Sequence, residues 1–149
     1  MSKRLTYAYT AGLIDGEGTI SLVYKYKSNP YRWPTITVPS CTKELTDFLK
    51  NQFGGCISNK RPDKVGHTPS KTWRLAGDKS LALLNLLLPY LKEPEKIRRA
   101  KLLIDKYKRL TPRNGRYTTE QRIKKLEFEH QFLEGGKTSR QTTRIRWAS

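Results

Sequence analysis

The chain has 149 residues, and 30 lysines and arginines against 13 aspartates and glutamates give it a formal net charge of +17. This excess predicts a polyanion-binding protein, a class in which DNA binders and RNA binders look alike. Two cysteines and two histidines exclude a disulfide framework and a zinc cluster. The longest apolar run, Leu81 to Leu91, is too short to cross a bilayer, and no signal segment precedes it. We therefore expect one soluble, intracellular domain over residues 1–134 and a basic tail over residues 135–149.

The first predicted element is a helix that ends around Gly16-Glu17-Gly18. Residue spacing gives this helix two distinct faces. The side chains on one face are small and leave the backbone uncovered, so we expect a second helix to approach this face closely. The other face is expected to pack on the core. The small-residue face consists of Ala8, Ala11 and Gly12, and the predicted core face of Leu5, Tyr9 and Leu13.

Two carboxylates, Asp15 and Glu17, lie where this helix ends. The C-terminal end of a helix carries partial negative charge, so acidic side chains are unfavourable there unless something else requires them. A divalent cation that prefers oxygen ligands is one such requirement. The other interpretation is a pair of solvated turn residues beside a glycine cap. The residues alone leave both interpretations open.

Four strands in two pairs follow, with a helix between the pairs. Alternation of apolar and polar residues predicts strands over Thr19–Lys27, Arg32–Val38, Cys56–Arg61 and Lys71–Ala76, and helical spacing predicts a helix over Thr42–Phe53. The core side of these strands is predicted to hold Ile20, Leu22, Tyr24, Tyr26, Pro34, Ile36, Val38, Trp73 and Leu75. The two hairpins together predict a half-buried sheet with one polar face.

The polar face of this sheet is rich in lysine, arginine, serine and threonine. Such a face can be merely solvated, but sheet ribbons also enter the major groove of DNA, where these side chains can read base edges. The candidate base contacts are Ser21, Val23, Lys25, Lys27, Arg32, Trp33, Thr35, Thr37, Ser58, Lys60, Thr72 and Arg74. A slip of one residue in strand register would reverse this assignment.

Three more helices are predicted after the sheet, over Lys79–Leu91, Pro94–Leu110 and residues 118–134. The last helix is expected to turn Ile123, Leu126, His130 and Leu133 inward, with His130 a core histidine. The basic tail beyond it is either disordered or ordered on phosphates. Its candidate DNA contacts are Lys137, Arg140, Thr142 and Thr143.

The stretch Ala11-Gly12-Leu13-Ile14-Asp15-Gly16-Glu17-Gly18 resembles the LAGLIDADG motif of homing endonucleases, with Glu17 as the alternative second acid. The resemblance implies an α+β fold of order αββαββα with additional C-terminal helices, in which an antiparallel four-stranded sheet forms a DNA-binding saddle. Only one motif is present, because Leu102 to Tyr107 echoes it without the glycines or the second acid. A single motif implies a homodimer on a near-palindromic target, in contact through Ala8, Ala11, Gly12 and Asp15.

The resemblance also implies cleavage of both DNA strands, leaving short 3′ overhangs, with Mg²⁺ as cofactor, Mn²⁺ able to substitute, and no small-molecule cofactor. Glu17 and the Gly16 carbonyl correspond to the metal ligands. The lysine near the active water falls on Lys96, with Lys92 as second choice, and either can equally be a solvated helix-start lysine. The family also has a polar residue after the second strand, near the active water; this position corresponds to Ser40 or Thr42 here, where relatives often carry glutamine. An RNA-binding intron maturase and a DNA-binding regulator without cleavage are the rival functions.

Overall fold

The protein, seen here as a computed structural model, is described over residues 2–60, 66 and 69–135. The helices and strands follow one another in the order α1 (Lys3–Glu17), β1 (Thr19–Tyr24), β2 (Arg32–Ser40), α2 (Lys43–Phe53), β3 (Cys56–Lys60), β4 (Ser70–Ala76), α3 (Asp78–Leu87), α4 (Pro94–Leu102) and α5 (Thr119–Glu134). A 3₁₀ turn over Leu88–Tyr90 follows α3, and a π-helical turn over Leu103–Tyr107 extends α4. The predicted αββαββα order with further helices is confirmed. None of the described helices has the length and apolar character needed to span a membrane.

The four strands form one antiparallel sheet in the order β1-β2-β4-β3. Thr19 pairs with Thr37 across β1 and β2, and Thr37 pairs with Arg74 across β2 and β4, so the two hairpins join through their second strands. The predicted core side is correct along the strands themselves, where these side chains are buried: Ile20, Leu22, Pro34, Ile36, Val38, Trp73 and Leu75. The helices complete this core, mainly with leucines of α3 and phenylalanines of α5.

The strand β1 is shorter than predicted and ends at Tyr24. Tyr24 and Tyr26 are exposed, although alternation assigned them to the core side. The Arg32 guanidinium stacks on the Tyr24 ring at 4.4 Å instead. The apolar alternation therefore continues past the end of the core into the loop between β1 and β2.

The core face of α1 differs from the predicted one. Thr6, Thr10, Ala11 and Ile14 are buried, whereas Leu5 is 61% exposed. The two threonine hydroxyls donate to carbonyls one turn earlier, Thr6 to Ser2 at 3.1 Å and Thr10 to Thr6 at 2.8 Å. Because their polar groups are satisfied within the helix, threonines can lie in the core, and the apolar residues Leu5 and Tyr9 turn outward.

The helix α5 is also rotated relative to the prediction. Ile123, Leu126 and His130 are exposed, so the expectation of a core histidine is wrong; His130 instead contacts Glu134 at 2.9 Å. The buried face consists of Lys125, Phe128, Glu129 and Phe132. The helix begins with the predicted capping box, in which the Thr118 hydroxyl accepts from the Gln121 N–H and the Gln121 side chain accepts from the Thr118 N–H.

Two buried ionisable side chains explain that rotation. The Lys125 ammonium donates to the Thr111 hydroxyl at 2.5 Å and lies 3.9 Å from the centre of the Tyr107 ring. The Glu129 carboxylate accepts from the Arg32 backbone N–H at 2.6 Å. Buried charged groups need such partners; Arg32 is 97 residues from Glu129 in sequence, whereas Thr111 lies in the segment just before α5. The helix therefore anchors the β1–β2 hairpin and the segment before α5.

Candidate active site and nucleic-acid surface

The junction between α1 and β1 is fixed by a close approach at Gly18. Its N–H donates to the carbonyls of Leu13 at 3.1 Å and Ile14 at 3.0 Å. A Cβ atom at this position would lie 2.7 Å from the Ile14 Cα, so only glycine fits. The sequence therefore turns from helix to strand within one residue, and Glu17 lies at that corner.

The two acids of the motif have different surroundings. The Asp15 carboxylate accepts from the backbone N–H groups of Lys92 at 2.9 Å and Glu93 at 3.3 Å, just before α4 begins. Glu17 is exposed and has no hydrogen bond or ion pair within the described part of the chain. Asp15 thus ties α1 to α4 of its own chain, and Glu17 is left free.

Lys96 brings a positive charge to this junction. The Glu93 side chain caps α4 by accepting from the N–H groups of Glu95 and Lys96, and this cap fixes the first turn. The Lys96 ammonium then donates to the Asp15 carbonyl at 2.6 Å. A cation is favourable on the negative end of α1. Lys96 therefore lies beside the end of the motif, whereas Lys92 contributes its backbone N–H and is exposed.

Glu95, in the same first turn of α4, reinforces this arrangement. Its carboxylate accepts from the guanidinium groups of Arg98 and Arg99, and the hydrogen bond from Arg98 is the main cause that holds the pKa of Glu95 below its ordinary value. Arg99 also donates to the Ile20 carbonyl at 2.8 Å. The start of β1 is therefore held against α4 on the same side as Lys96.

Ser40 and Thr42 lie together at the end of β2. The Ser40 hydroxyl accepts from the Thr42 N–H at 3.0 Å, and the two hydroxyl oxygens are 3.1 Å apart. By the register of Thr19 with Thr37, this end of β2 extends toward the α1–β1 junction. No hydrogen bond links either hydroxyl to Glu17 among the residues described here.

The open face of the sheet carries most of the predicted base contacts. The partly or fully exposed members on the strands are Ser21, Val23, Trp33, Thr37, Ser58, Thr72 and Arg74. The paired register adds Thr19, which faces Thr37, and Cys56, which faces Arg74. Both were missing from the predicted set, although the alternation that begins at Thr19 assigns it to this face.

Four predicted contacts differ in position from the others. Arg32 alternates with Trp33 and points to the helix side, where its guanidinium lies 3.9 Å from the Glu129 carboxylate. Thr35 is only 1% exposed, because it lies in the middle of the sheet between Ser21 and Ala76, and its hydroxyl has no hydrogen-bond partner among the described residues. Lys25 and Lys27 are exposed but follow the end of β1.

Five further predicted contacts have no described side chain. Lys60 ends β3, but nothing is described of its side chain. The tail residues of the prediction lie outside the described part of the chain; they are Lys137, Arg140, Thr142 and Thr143.

The exposed face of α1 combines small and large apolar residues. Ala11 is fully buried in its own chain, so the predicted interface position is wrong, because the core takes this side chain. The exposed residues at helical spacing are Leu5, Ala8, Tyr9, Gly12 and Gly16. A Cβ atom added at Gly12 or Gly16 would meet nothing within 4 Å. A single chain therefore has no packing requirement for glycine at these two positions.

Comparison with known proteins finds likeness in structure but not in sequence. No protein-family model matches the sequence, and neither does any curated protein. The homing endonuclease I-CvuI, in complex with its target, superposes with a TM-score of 0.68 at 23% identity over 91% of this chain and 85% of that chain. The archaeal intron-encoded homing endonuclease I-Vdi141I, complexed with DNA, superposes with a TM-score of 0.61 at 13% identity over 93% and 88%. The chain has the fold of the LAGLIDADG homing endonucleases.

This chain covers only about half of a longer LAGLIDADG protein. The LAGLIDADG meganuclease I-CpaMI, bound to uncleaved DNA, superposes with a TM-score of 0.64 at 17% identity over 95% of this chain but 48% of that chain. This chain thus matches nearly the full length of I-Vdi141I and about half of I-CpaMI. It has the size of one LAGLIDADG unit.

The donor atoms at the α1–β1 junction fit a divalent cation only in part. Within the described residues, no group of three or more histidine, cysteine, aspartate or glutamate side chains could hold a metal ion. The Glu17 carboxylate is exposed and unpartnered, and Gly16 beside it has no side chain to cover its backbone. Mg²⁺ keeps several waters and binds through one or two carboxylates together with substrate phosphates. The junction of one chain therefore supplies the protein share of such a site and leaves the rest to a phosphate or a second chain.

Proposed function

We propose that this protein is a site-specific endonuclease that cleaves both strands of DNA with a divalent cation and acts as a homodimer. One observation carries the proposal. Glu17 is held at the corner between α1 and β1, exposed and unpartnered, while its neighbour Asp15 and the nearby Lys96 are both engaged. An acid in this position contributes nothing evident to the fold of one chain and suits a role with a ligand.

The residues at and near the α1–β1 junction would have different roles in phosphodiester hydrolysis. Glu17 and the Gly16 carbonyl would hold Mg²⁺, or Mn²⁺ in its place, which when bound neutralises charge on the phosphate and makes a bound water more acidic. Lys96, held on the Asp15 carbonyl, keeps a positive charge beside the negatively charged DNA backbone. Ser40 and Thr42 offer hydroxyls that can orient a water at the end of β2.

The open face of the sheet supports recognition of a duplex. Its exposed row Thr19, Thr37, Arg74 and Cys56 runs across all four strands. Serine, threonine and arginine side chains can donate to and accept from base edges in the major groove, and an arginine bidentate to guanine contributes about 1–3 kcal/mol of discrimination. The surrounding excess of lysine and arginine makes the affinity depend on salt, because phosphate contacts release counterions.

The exposed face of α1 supports the homodimer. Gly12 and Gly16 leave backbone open on a face that also exposes Leu5 and Tyr9, so a second α1 can pack there at short range. A two-fold contact of this kind places two copies of Glu17 near one axis and makes the recognised DNA near-palindromic. The short 3′ overhangs follow from the resemblance to the homing endonucleases and not from this symmetry. The match to about half of I-CpaMI agrees with a unit that is used twice.

A cleavage experiment with Glu17→Gln tests the chemistry. The wild-type protein first selects its target from random duplexes, and the selected duplex is then incubated with Mg²⁺ and each variant. We expect Glu17→Gln to reduce the cleavage rate at least about a thousandfold, with binding within about threefold, because a metal ligand is lost without loss of DNA contacts. The matched control is Glu44→Gln, an exposed acid at the start of α2. Cleavage that persists in Glu17→Gln would exclude this acid, and binding by the wild type without cutting would favour a regulator or maturase.

A separate experiment tests the homodimer. Gly12→Leu adds a large side chain to open space in the single chain, so we expect a folded monomer in place of a dimer by sedimentation velocity. Ala82→Leu, at an exposed position of α3, is the control and should leave the dimer intact. A wild-type protein that sediments as a monomer at micromolar concentration would contradict the homodimer.

A further inference from the structure

A cleft of about 850 Å³ lies away from the α1–β1 junction, at the outer end of the β1–β2 hairpin. Its walls come from the loop after β1 with the start of β2, from the end of the π-helical turn and the stretch that follows it, and from α5. This volume lies within the roughly 300–1,000 Å³ typical of small-ligand sites. The cleft contains none of the residues proposed for hydrolysis and shares Trp33 with the open face of the sheet.

Aromatic rings line much of this cleft, namely those of Tyr31, Trp33, Tyr107 and Tyr117. Tyr31 and Tyr117 stack on each other, with ring centres 4.1 Å apart and an interplanar angle of 29°. All four side chains are partly exposed rather than buried in the core. The stacked pair therefore presents a ready aromatic edge and outer ring surface to the cleft.

The charges of the lining residues are all positive. Lys25, Arg32, Arg116 and Arg122 line the cleft, and no aspartate or glutamate does so within the described residues. The guanidinium groups of Arg116 and Arg122 are exposed and form no hydrogen bond or ion pair there. These two cations are available to an anionic ligand.

The cleft is held open by contacts behind its walls. Lys125 donates to Thr111, which lies in the wall, and Glu129 accepts from the N–H of Arg32, another wall residue. Both side chains are buried, so these contacts are shielded from water. The wall residues are thus positioned before any ligand binds, which lowers the ordering cost of binding.

We propose that this cleft binds an unpaired nucleotide of a single-stranded nucleic acid. Stacking rings combined with free cations are typical of single-strand binding, where the base stacks on aromatic side chains and cations contact the backbone. The bases of an intact duplex are stacked on one another and cannot enter such a cleft. In this assignment the base lies against the Tyr31–Tyr117 pair, and Arg116 and Arg122 contact the flanking phosphates.

The charge arm of the test uses a fluorescein-labelled oligothymidylate, which forms no duplex, and measures binding by fluorescence anisotropy. We expect the double variant Arg116→Gln, Arg122→Gln to bind about tenfold more weakly than the wild type. The matched control Arg113→Gln, Lys124→Gln removes two exposed charges from the same loop and helix outside the cleft, and should weaken binding by no more than about threefold. Equal weakening by the two double variants would overturn the proposal, since only net charge would then matter.

The aromatic arm uses Tyr117→Leu against Tyr26→Leu, an exposed tyrosine of the β1–β2 loop that does not line the cleft. We expect about a tenfold loss of affinity for Tyr117→Leu and retention of affinity in Tyr117→Phe, which keeps the ring. Thermal unfolding of each variant identifies any that fail to fold, and the arginine variants then carry the test. A fully paired random duplex is measured in parallel. A loss for that duplex as large as for the single strand would overturn the proposal and assign the cleft to the duplex surface; cleavage by the wild type is independent of either result.

Discussion

Two glutamates in this protein occupy opposite environments. Glu129, on α5, is 2% exposed and accepts from the Arg32 backbone N–H, with the Arg32 guanidinium 3.9 Å away. Glu17, at the end of α1, is exposed and makes no such contact within the described residues. The fold of one chain needs the first carboxylate and has no evident use for the second. Glu17 is therefore the candidate for a role in catalysis, and Glu129 is the candidate for a role in stability.

Asp15 shows that the same division runs through the motif itself. It lies two residues before Glu17, yet its carboxylate accepts two backbone N–H groups at the start of α4. Substitutions at these acids, and at the lysine beside Glu129, should therefore separate structural from functional roles, with effects on stability that decrease from α5 to the α1–β1 junction.

Glu129→Ala should have the largest effect on stability. The change leaves the Arg32 N–H without its acceptor and removes the carboxylate that favours the buried Lys125 ammonium. We expect the free energy of unfolding to fall by about 3–5 kcal/mol, as when one partner of a buried pair is removed. Urea denaturation measures the difference, with Glu127→Ala, an exposed position of the same helix, as control. A loss below about 1 kcal/mol would mean that α5 does not depend on this contact.

The stability of the protein should rise with pH on account of Lys125. Burial lowers the pKa of this side chain from 10.5 to about 8, an effect that Glu129 partly offsets. Between pH 8 and 10 the unfolded chain therefore binds more protons than the folded one, and the contribution to stability grows by about 2 kcal/mol. Burial raises the pKa of Tyr107 to about 12, which has the opposite effect above pH 10 and sets the upper limit of the scan.

The measurement for Lys125 compares the wild type with Lys125→Met by urea denaturation at pH 7 and pH 10. Methionine fills a similar volume without a titrating group. As the pH rises, the unfolding free energy of the wild type should increase relative to that of Lys125→Met. A pH-independent difference would show that Lys125 titrates at the same pH in both states.

Asp15→Ala should lower the unfolding free energy by about 1–2 kcal/mol, because two backbone N–H groups at the start of α4 lose their acceptor. Hydrogen exchange at the amides of Lys92 and Glu93 should become faster, which assigns the loss to these contacts. Asp105→Ala, at an exposed acid of the π-helical turn, is the control and should change neither quantity.

Glu17→Gln should have the smallest effect on stability. Within the described part of the chain the Glu17 side chain has no partner to lose, and it lies at the negative end of α1, so its neutralisation should leave the unfolding free energy unchanged or raise it by about 0.5 kcal/mol. Urea denaturation of the variant that is used for cleavage measures this. A loss above about 1 kcal/mol would show that Glu17 has a structural partner and would remove the contrast with Glu129.

Local sequence patterns were enough to predict the order of the elements, the corner at Gly18 and the inner faces of the strands. These features depend on local rules: the switch from helical to alternating spacing, the lack of room for a side chain at Gly18, and the strict alternation of side chains in a strand. The resemblance implied that Lys96, with Lys92 as second choice, lies near Glu17, and the Lys96 ammonium donates to the Asp15 carbonyl at the end of α1, while its catalytic role stays a prediction. Here the local pattern and the tertiary fold agree.

Contacts in the folded chain, and not local patterns, set which faces of α1 and α5 are buried and to which side Arg32 points. In α1 the buried threonines donate to the helix backbone, and in α5 the buried Lys125 donates to Thr111 while one oxygen of Glu129 accepts from the Arg32 N–H. A sequence pattern counts all of these side chains as polar and places them outside. Burial of these side chains is favourable because each has a partner, and the partner of Glu129 lies on a strand 97 residues away in sequence that only the folded chain brings to α5.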